Sequence, residues 1–258
     1  MKEAYFSSSK IKQLLEHNKL ATFDQLWTLE TPWFEEPNYR RNGWSGVVKY
    51  ALSSKNGDKT RIFIKRQENH NCKTFLHPVK GVPTFQREFI NIKNLNNKQI
   101  PSLNALYYAE RSINGKNQAI LITLSLEGYQ SLEEFCANDA NKNHPQRQAI
   151  MSLAGQVTRK MHDAHFRHNC LYPKHLFLKY NKENIDIRVI DLEKLKWLPL
   201  YQQIRHNDLS RIIRRGDPMT YDDIKILLSS YYQSGNNNLE TSSLAQKLNQ
   251  LLEEKNNS

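Results

Sequence analysis

Apolar and polar positions along the 258-residue chain change texture twice. Up to about residue 40 there is one short amphipathic stretch, Ile11, Leu14 and Leu15, preceded by serines suited to capping a helix. The region around Pro32 and Pro37 then reads as an irregular connection. Strand-like runs follow: Gly46 to Leu52, a turn at Asn56-Gly57-Asp58, and Thr60 to Lys65. Asn-Gly between apolar runs is a hairpin signal, so the two segments are expected to pair antiparallel. A helix is predicted from about Thr84, because Phe85, Phe89, Ile92 and Leu95 recur at spacings of 4, 3 and 3 on one stripe. Two more strands are expected around Asn114-Gly115-Lys116-Asn117, the more apolar running from Ala119 to Leu126.

From Ser131 the periodicity becomes helical. Ser131 and Glu134 have capping-box spacing, and Ile150, Leu153, Ala154, Val157 and Met161 mark the buried face of a long helix from about Pro145. A polar and aromatic loop from His162 to His175 comes next, then two short strands, Leu176–Lys179 and Ile185–Ile190, around the turn at Asn181–Asn184. The remainder is helical, with Leu244, Leu248, Leu251 and Leu252 as a late stripe. No internal repeat is visible. The expected class is α+β, in three parts: an N-terminal extension over 1–37, a sheet-bearing lobe with one helix over 38–127, and a mostly helical lobe over 128–258.

Composition narrows the class. Hydrophobic residues make up 38% of the chain, which supports a packed core rather than disorder. The longest strongly apolar run, Ala119 to Leu124, falls far short of the roughly 20 residues of a membrane-spanning helix. The N-terminus carries an early acid and lacks a secretory apolar segment, which predicts a cytoplasmic protein. Three scattered cysteines, Cys72, Cys136 and Cys170, give neither a disulfide framework nor zinc-site spacing. His162, His165 and His168 step by three without the glutamate of zinc hydrolases, so a zinc site is disfavoured. The balance of 37 Lys+Arg against 26 Asp+Glu gives +11. That charge, with Arg205, Arg211, Arg214 and Arg215, admits non-specific nucleic-acid binding. The basic residues are interspersed with acids, however, and no nucleic-acid motif is present, so this reading is a second alternative.

Several residues carry candidate chemistry. Gly43, Ser45 and Gly46 lie at the start of the first strand, where glycines let a turn approach a polyphosphate; the same pattern is often a plain turn. Lys65 ends the second strand, and Glu88 follows one turn into the helix. A strand lysine held by a helical glutamate can meet phosphate oxygens. Asp191 emerges from an apolar strand, a position suited to holding Mg²⁺. Glycine-bearing strand start, strand lysine, helix glutamate, His-containing loop and strand-end aspartate together make the part order of a protein-kinase-like phosphotransferase.

The runs Trp44-Ser45-Gly46-Val47, Ile64-Lys65-Arg66-Gln67, His168-Asn169-Cys170-Leu171-Tyr172-Pro173-Lys174-His175 and Ile190-Asp191-Leu192-Glu193-Lys194 resemble the lipopolysaccharide kinase (Kdo/WaaP-like) family, in particular its InaA branch. The resemblance covers roughly residues 38 to 230. It implies a bilobal protein-kinase-like fold, with Lys65 gripping the phosphates of ATP, Glu88 orienting Lys65, and Asp191 holding Mg²⁺. His168 matches the histidine opening the catalytic loop, and His175 the position where protein kinases place a metal-binding asparagine. It also implies transfer from ATP to an inner-core sugar of lipopolysaccharide, Kdo or heptose, with peripheral contact at the anionic inner face of the inner membrane.

One departure bears on activity. The family's catalytic aspartate, two residues after the opening histidine, is replaced by Cys170. Thiols titrate near 8.5 and are poor proton acceptors at neutral pH compared with a carboxylate. Asn169 stands in place of the loop arginine, and Asp191-Leu192-Glu193 lacks the glycine of the metal triplet. The first alternative is therefore a catalytically weak or inactive nucleotide-binding pseudokinase. Asp163, the nearest acid, lies seven residues before Cys170, too far along the long helix to replace the base.

Overall fold

The computed structural model describes residues 3–40, 42–73, 77–79, 81–199, 201–234 and 239–257, with the side chains of 201–204 left aside. The chain divides into two compact units, one of residues 1–93 and 103–127, the other of 94–102 and 128–258.

The first unit is built on a six-stranded sheet in the order β1-β7-β8-β4-β3-β2. Its strands are β1 (Tyr5–Phe6), β2 (Trp33–Arg40), β3 (Gly43–Ser53), β4 (Lys59–Glu68), β7 (Ala105–Ile113) and β8 (Lys116–Leu124); two short strands, β5 (Asn71–Cys72) and β6 (Val82–Pro83), pair separately. The neighbouring strands pair antiparallel. The predicted turns at Asn56-Gly57 and Asn114-Gly115 connect β3 to β4 and β7 to β8. Two expectations for the N-terminal region are corrected. Residues 33–40, expected as irregular connection, form a strand, because β2 lies at the sheet edge and its register shifts twice, conditions under which Pro37 removes no required ladder bond. The segment from Tyr5 to Leu26 is not a separate extension. β1 joins the sheet, and Leu15, Leu20, Phe23 and Leu26, from helices α1 (Ser9–His17) and α2 (Phe23–Trp27) and the link between them, complete its core.

Strand alternation explains the two faces of this sheet. Ile62 and Ile64 of β4 pack with Leu15, Leu26, Val48 and Ile122 on one side. Arg66, next in that series, is buried with its guanidinium over the Trp33 ring, donating to the Trp27 and Leu29 carbonyls. Lys65 and Gln67 point to the other side and meet α3 (Thr84–Asn97), the predicted helix.

In the second unit, β9 (Gln130–Ser131), β11 (Leu176–Tyr180) and β12 (Ile185–Val189) form a small antiparallel sheet, and β10 (Phe166–Arg167) pairs with β13 (Lys196–Trp197). The helices are α4 (Leu132–Ala137), α5 (Arg147–Asp163), α6 (Tyr201–Arg214), α7 (Tyr221–Gln233) and α8 (Ser243–Asn256). The capping box forms as spaced: Ser131 Oγ accepts from the Glu134 amide at 3.0 Å, and Glu134 accepts from the Ser131 amide at 2.7 Å. Ile150, Met151, Ala154, Val157 and Met161 form the buried stripe of α5, whereas Leu153 is only half-buried. Arg147 donates two bonds to Asp223, at 2.8 and 2.6 Å, tying the first turns of α5 and α7 together.

Candidate phosphotransfer site

In the first unit Lys65 Nζ lies 2.6 Å from Glu88 Oε1. The glutamate side chain is 4% exposed and the lysine 19%, so the pair is sheltered while the ammonium keeps access to solvent. Phe85 shields the other side, its ring centre 6.0 Å from Nζ. Gln67, two residues along β4 and on the same face as Lys65, sets the position of α3. Its Oε1 accepts from the Thr84 hydroxyl and the Phe85 amide, both at 2.8 Å, and its Nε2 donates to the His70 carbonyl at 2.8 Å. One strand thus fixes the start of the helix through an amide and its fifth residue through an ion pair.

The expected glycine loop is a hairpin joining β2 to β3, closed by the pairing of Arg40 with Gly43. Ser45 sits half-buried inside β3, opposite Gln67. Each glycine is also required by close packing. A Cβ at Gly43 would lie 2.0 Å from the Glu68 carbonyl oxygen, and one at Gly46 would lie 2.7 Å from the Trp33 ring.

In the second unit the loop from His165 to His175 is bonded along its length to residues 189–198. His168 is fully buried. Its Nδ1 accepts from the Cys170 amide at 3.2 Å, so Nε2 carries the proton and donates to the Ile190 carbonyl at 2.8 Å. Both ring nitrogens of His168 are thus engaged with backbone groups of the loop and of the strand end. The Ile190 amide donates to the His175 carbonyl at 3.0 Å. Asn169 donates to the Lys194 carbonyl at 2.8 Å. These bonds hold Asp191 in a left-handed backbone conformation, φ 58° and ψ 56°, of the strained kind that clusters at functional sites. His175 Nδ1 donates to the Cys170 carbonyl at 2.6 Å, which leaves Nε2 facing Asp191 Oδ2 at 3.4 Å. An imidazole nitrogen and a carboxylate oxygen turned toward each other suit a cation. Among the described residues no set of three His, Cys, Asp or Glu converges on one point. His162, His165 and His168 instead bond to Tyr231 and Asp208, to the Leu198 carbonyl, and to the Ile190 carbonyl.

Asp208 of α6 completes this loop. It is fully buried, and its Oδ2 accepts from the His168 amide at 2.6 Å while Oδ1 accepts from the Asn169 amide at 3.0 Å. His162 and Arg211 lie at 3.3 Å from its two oxygens. Burial pushes its carboxyl up, but the His162 hydrogen bond and charge, with the His168 ring and amide, outweigh that and hold it below the usual carboxylate range. Sequence reasoning missed both Gln67 and Asp208. For Asp208 a signal existed, since it lies one turn before Ile212 on the apolar stripe of α6. Asp163, the sequence-nearest acid, is occupied by Arg159 and Arg205, both at 2.8 Å. Arg205 and Arg211 of the basic cluster are thus engaged with acids inside the second unit.

Burial also lowers the pKa of His168, with a smaller push from His175, against opposing pulls from the Ile190 carbonyl, Asp208 and Asp191. A histidine whose folded pKa is depressed contributes stability that is complete above its unfolded value of about 6.5 and is lost as pH falls toward the folded value. The urea midpoint is therefore expected to decline below about pH 6.5. His168→Gln should flatten that decline, and an unchanged slope in the variant would show that another group causes it.

An antiparallel sheet carrying a lysine clasped by a helical glutamate, and a second unit whose histidine-opened loop is bonded to a strand-end aspartate, define a protein-kinase-like fold. The lipopolysaccharide kinase (Kdo/WaaP) family model matches residues 24–231, and the chain belongs to that family. It is 29% identical over 216 residues to Protein InaA of Escherichia coli (strain K12), covering 83% of this chain and 97% of that one. Its fold matches a solved structure described as WaaP in complex with acyl carrier protein, with a TM-score of 0.65 and 16% identity, covering 98% of this chain and 99% of that one.

Proposed function

We propose that the protein is an ATP-dependent phosphotransferase acting on a hydroxyl of a lipopolysaccharide inner-core sugar, Kdo or heptose. The observation that carries this reading is the 2.6 Å Lys65–Glu88 pair, because an ammonium fixed by a buried carboxylate is the device that grips nucleotide phosphates in kinases. Asp191 and His175 offer one carboxylate and one imidazole to Mg²⁺, which commonly takes one or two protein carboxylates and completes its shell with water and phosphate oxygens. Mg²⁺ held there would supply charge neutralisation on the transferring phosphoryl group. The chain's own residues do the rest: Glu88 aims Lys65, His168 and Asp208 hold the loop backbone, and Cys170 occupies the position of the base. The +11 charge suits work at the anionic inner face of the inner membrane, where each nearby Lys or Arg adds about 1 kcal/mol. No helix among the described residues is long and apolar enough to cross a membrane.

Cys170 favours a second reading, a nucleotide-binding relative that transfers slowly or not at all, since the loop offers no free carboxylate in its place. Thermal unfolding with and without ATP·Mg²⁺ tests what both readings share. Nucleotide at a hundredfold excess over Kd should stabilise the wild type by about 2.7 kcal/mol. Lys65→Met, compared with its own nucleotide-free midpoint, should lose most of that gain. A wild type that gains nothing from nucleotide would remove both readings.

A further inference from the structure

A cation from the end of α6, which the phosphotransfer chemistry above leaves unused, lies against the loop. Tyr172 stands between Cys170 and His175, and its ring lies against His175 with centres 5.6 Å apart. The guanidinium of Arg215 is placed over the Tyr172 ring, 5.8 Å from its centre. Contacts therefore run from Asp191 through His175 and Tyr172 to Arg215 within one unit. Arg215 comes directly after α6, the helix whose Asp208 cages the His168 and Asn169 amides, so its position is tied to the loop at two points. Arg214 and Arg215 are exposed. Basic residues at a helix end complement the helix dipole, which accounts for Arg211 and Arg214. It does not account for a guanidinium laid over the tyrosine next to the metal-holding histidine. A planar guanidinium seated on an aromatic face and open to solvent is a recogniser of carboxylate and phosphate groups.

We propose that Arg215, seated on Tyr172, selects the acceptor by binding an anionic group that it carries, a carboxylate or a phosphate. This inference rests on the phosphotransferase reading of the same loop and adds the residue that would set its acceptor class.

Three probe sugars separate the outcomes: Kdo, charged through a carboxylate; glucose 6-phosphate, charged through a phosphate; and methyl mannoside, neutral. Titrations followed by calorimetry, at low salt, compare the wild type with Arg215→Ala and Arg215→Lys, each also titrated with ATP·Mg²⁺. Arg215→Ala should weaken at least one charged sugar by about tenfold, the scale of one charge-assisted hydrogen-bonded pair. It should leave methyl mannoside and ATP·Mg²⁺ unchanged, and Arg215→Lys should recover only part of the loss, because lysine lacks the planar fork. The sugar that responds identifies the anion as carboxylate or phosphate. Equal losses for neutral and charged sugars, a loss confined to ATP·Mg²⁺, no loss at all, or no binding of either charged sugar by the wild type would each overturn the assignment. If the wild type ignores nucleotide but binds a charged sugar through Arg215, the phosphotransferase reading fails and the anion site stands. If nucleotide binds normally and Arg215→Ala changes nothing, only the anion site fails.

Discussion

Cys170→Asp is expected to raise the rate of ATP-dependent phosphorylation of a Kdo–lipid A acceptor by about 10²–10⁴-fold, the range that a positioned general base contributes. The surrounding loop is already organised for such a residue. The Cys170 amide is fixed by His168 Nδ1 and its carbonyl by His175 Nδ1, so the backbone at this position is held on both sides before any side chain is considered. A carboxylate there would restore the proton acceptor whose place Cys170 takes. Cys170→Asn is the control, because it matches the aspartate in size and cannot accept the acceptor proton as a carboxylate does. A rate that rises with Asp and not with Asn identifies the missing base. Equal rates for the two variants, with nucleotide binding intact, would mean that proton acceptance at this position does not limit transfer, and would favour the non-transferring reading. The kinase arrangement tolerates such a lesion better than most, since phosphoryl transfer depends chiefly on positioning and charge stabilisation.

The parts of the fold and site that the sequence made legible share one property: their signals are local. β3, β4, β7 and β8 carry apolar runs joined in pairs by turns at Asn-Gly, and α3 repeats its apolar positions within one helix. β2 escaped because an edge strand accepts Pro37 and two register shifts that would disqualify a central strand. The five-residue α2 is too short for periodicity to register, and β1 has only two residues. The same division holds in the site. Lys65, Glu88 and Asp191 stand out as candidates through the order and spacing of short runs, and His175 through the family resemblance. Gln67 and Asp208 were not, because their roles are defined by partners 18 and 40 residues away in sequence, the Phe85 and His168 amides. A buried polar side chain becomes meaningful only when the backbone groups it satisfies are known.

Asp208 therefore carries the second large prediction. Truncation to alanine should lower the free energy of unfolding by about 3–5 kcal/mol, the loss seen when one member of a buried charged network is removed. The reasoning is specific to its partners. Two backbone N–H groups, of His168 and Asn169, would lose the carboxylate oxygens that accept from them, and each buried donor left unmade costs about 1–3 kcal/mol. His162 would keep Tyr231 but lose its second partner. Asp208→Asn keeps one oxygen and should cost less, while turning an NH₂ toward one of the two amides. Urea unfolding at neutral pH measures both losses. A drop below about 1 kcal/mol for the alanine variant would show that water reaches the loop amides and that the carboxylate is not what holds them. The acid limb gives an independent reading. Because the folded-state pKa of Asp208 is depressed, its stabilisation is complete above the unfolded value of about 3.9 and disappears as pH falls toward the folded value. That loss begins below about pH 3.9, whereas the one assigned to His168 begins below about pH 6.5, so the two variants should flatten the stability curve from different starting points. If Asp208→Asn flattened the segment near pH 6 instead, the carboxylate would be acting through His168 and the loop would titrate as one unit.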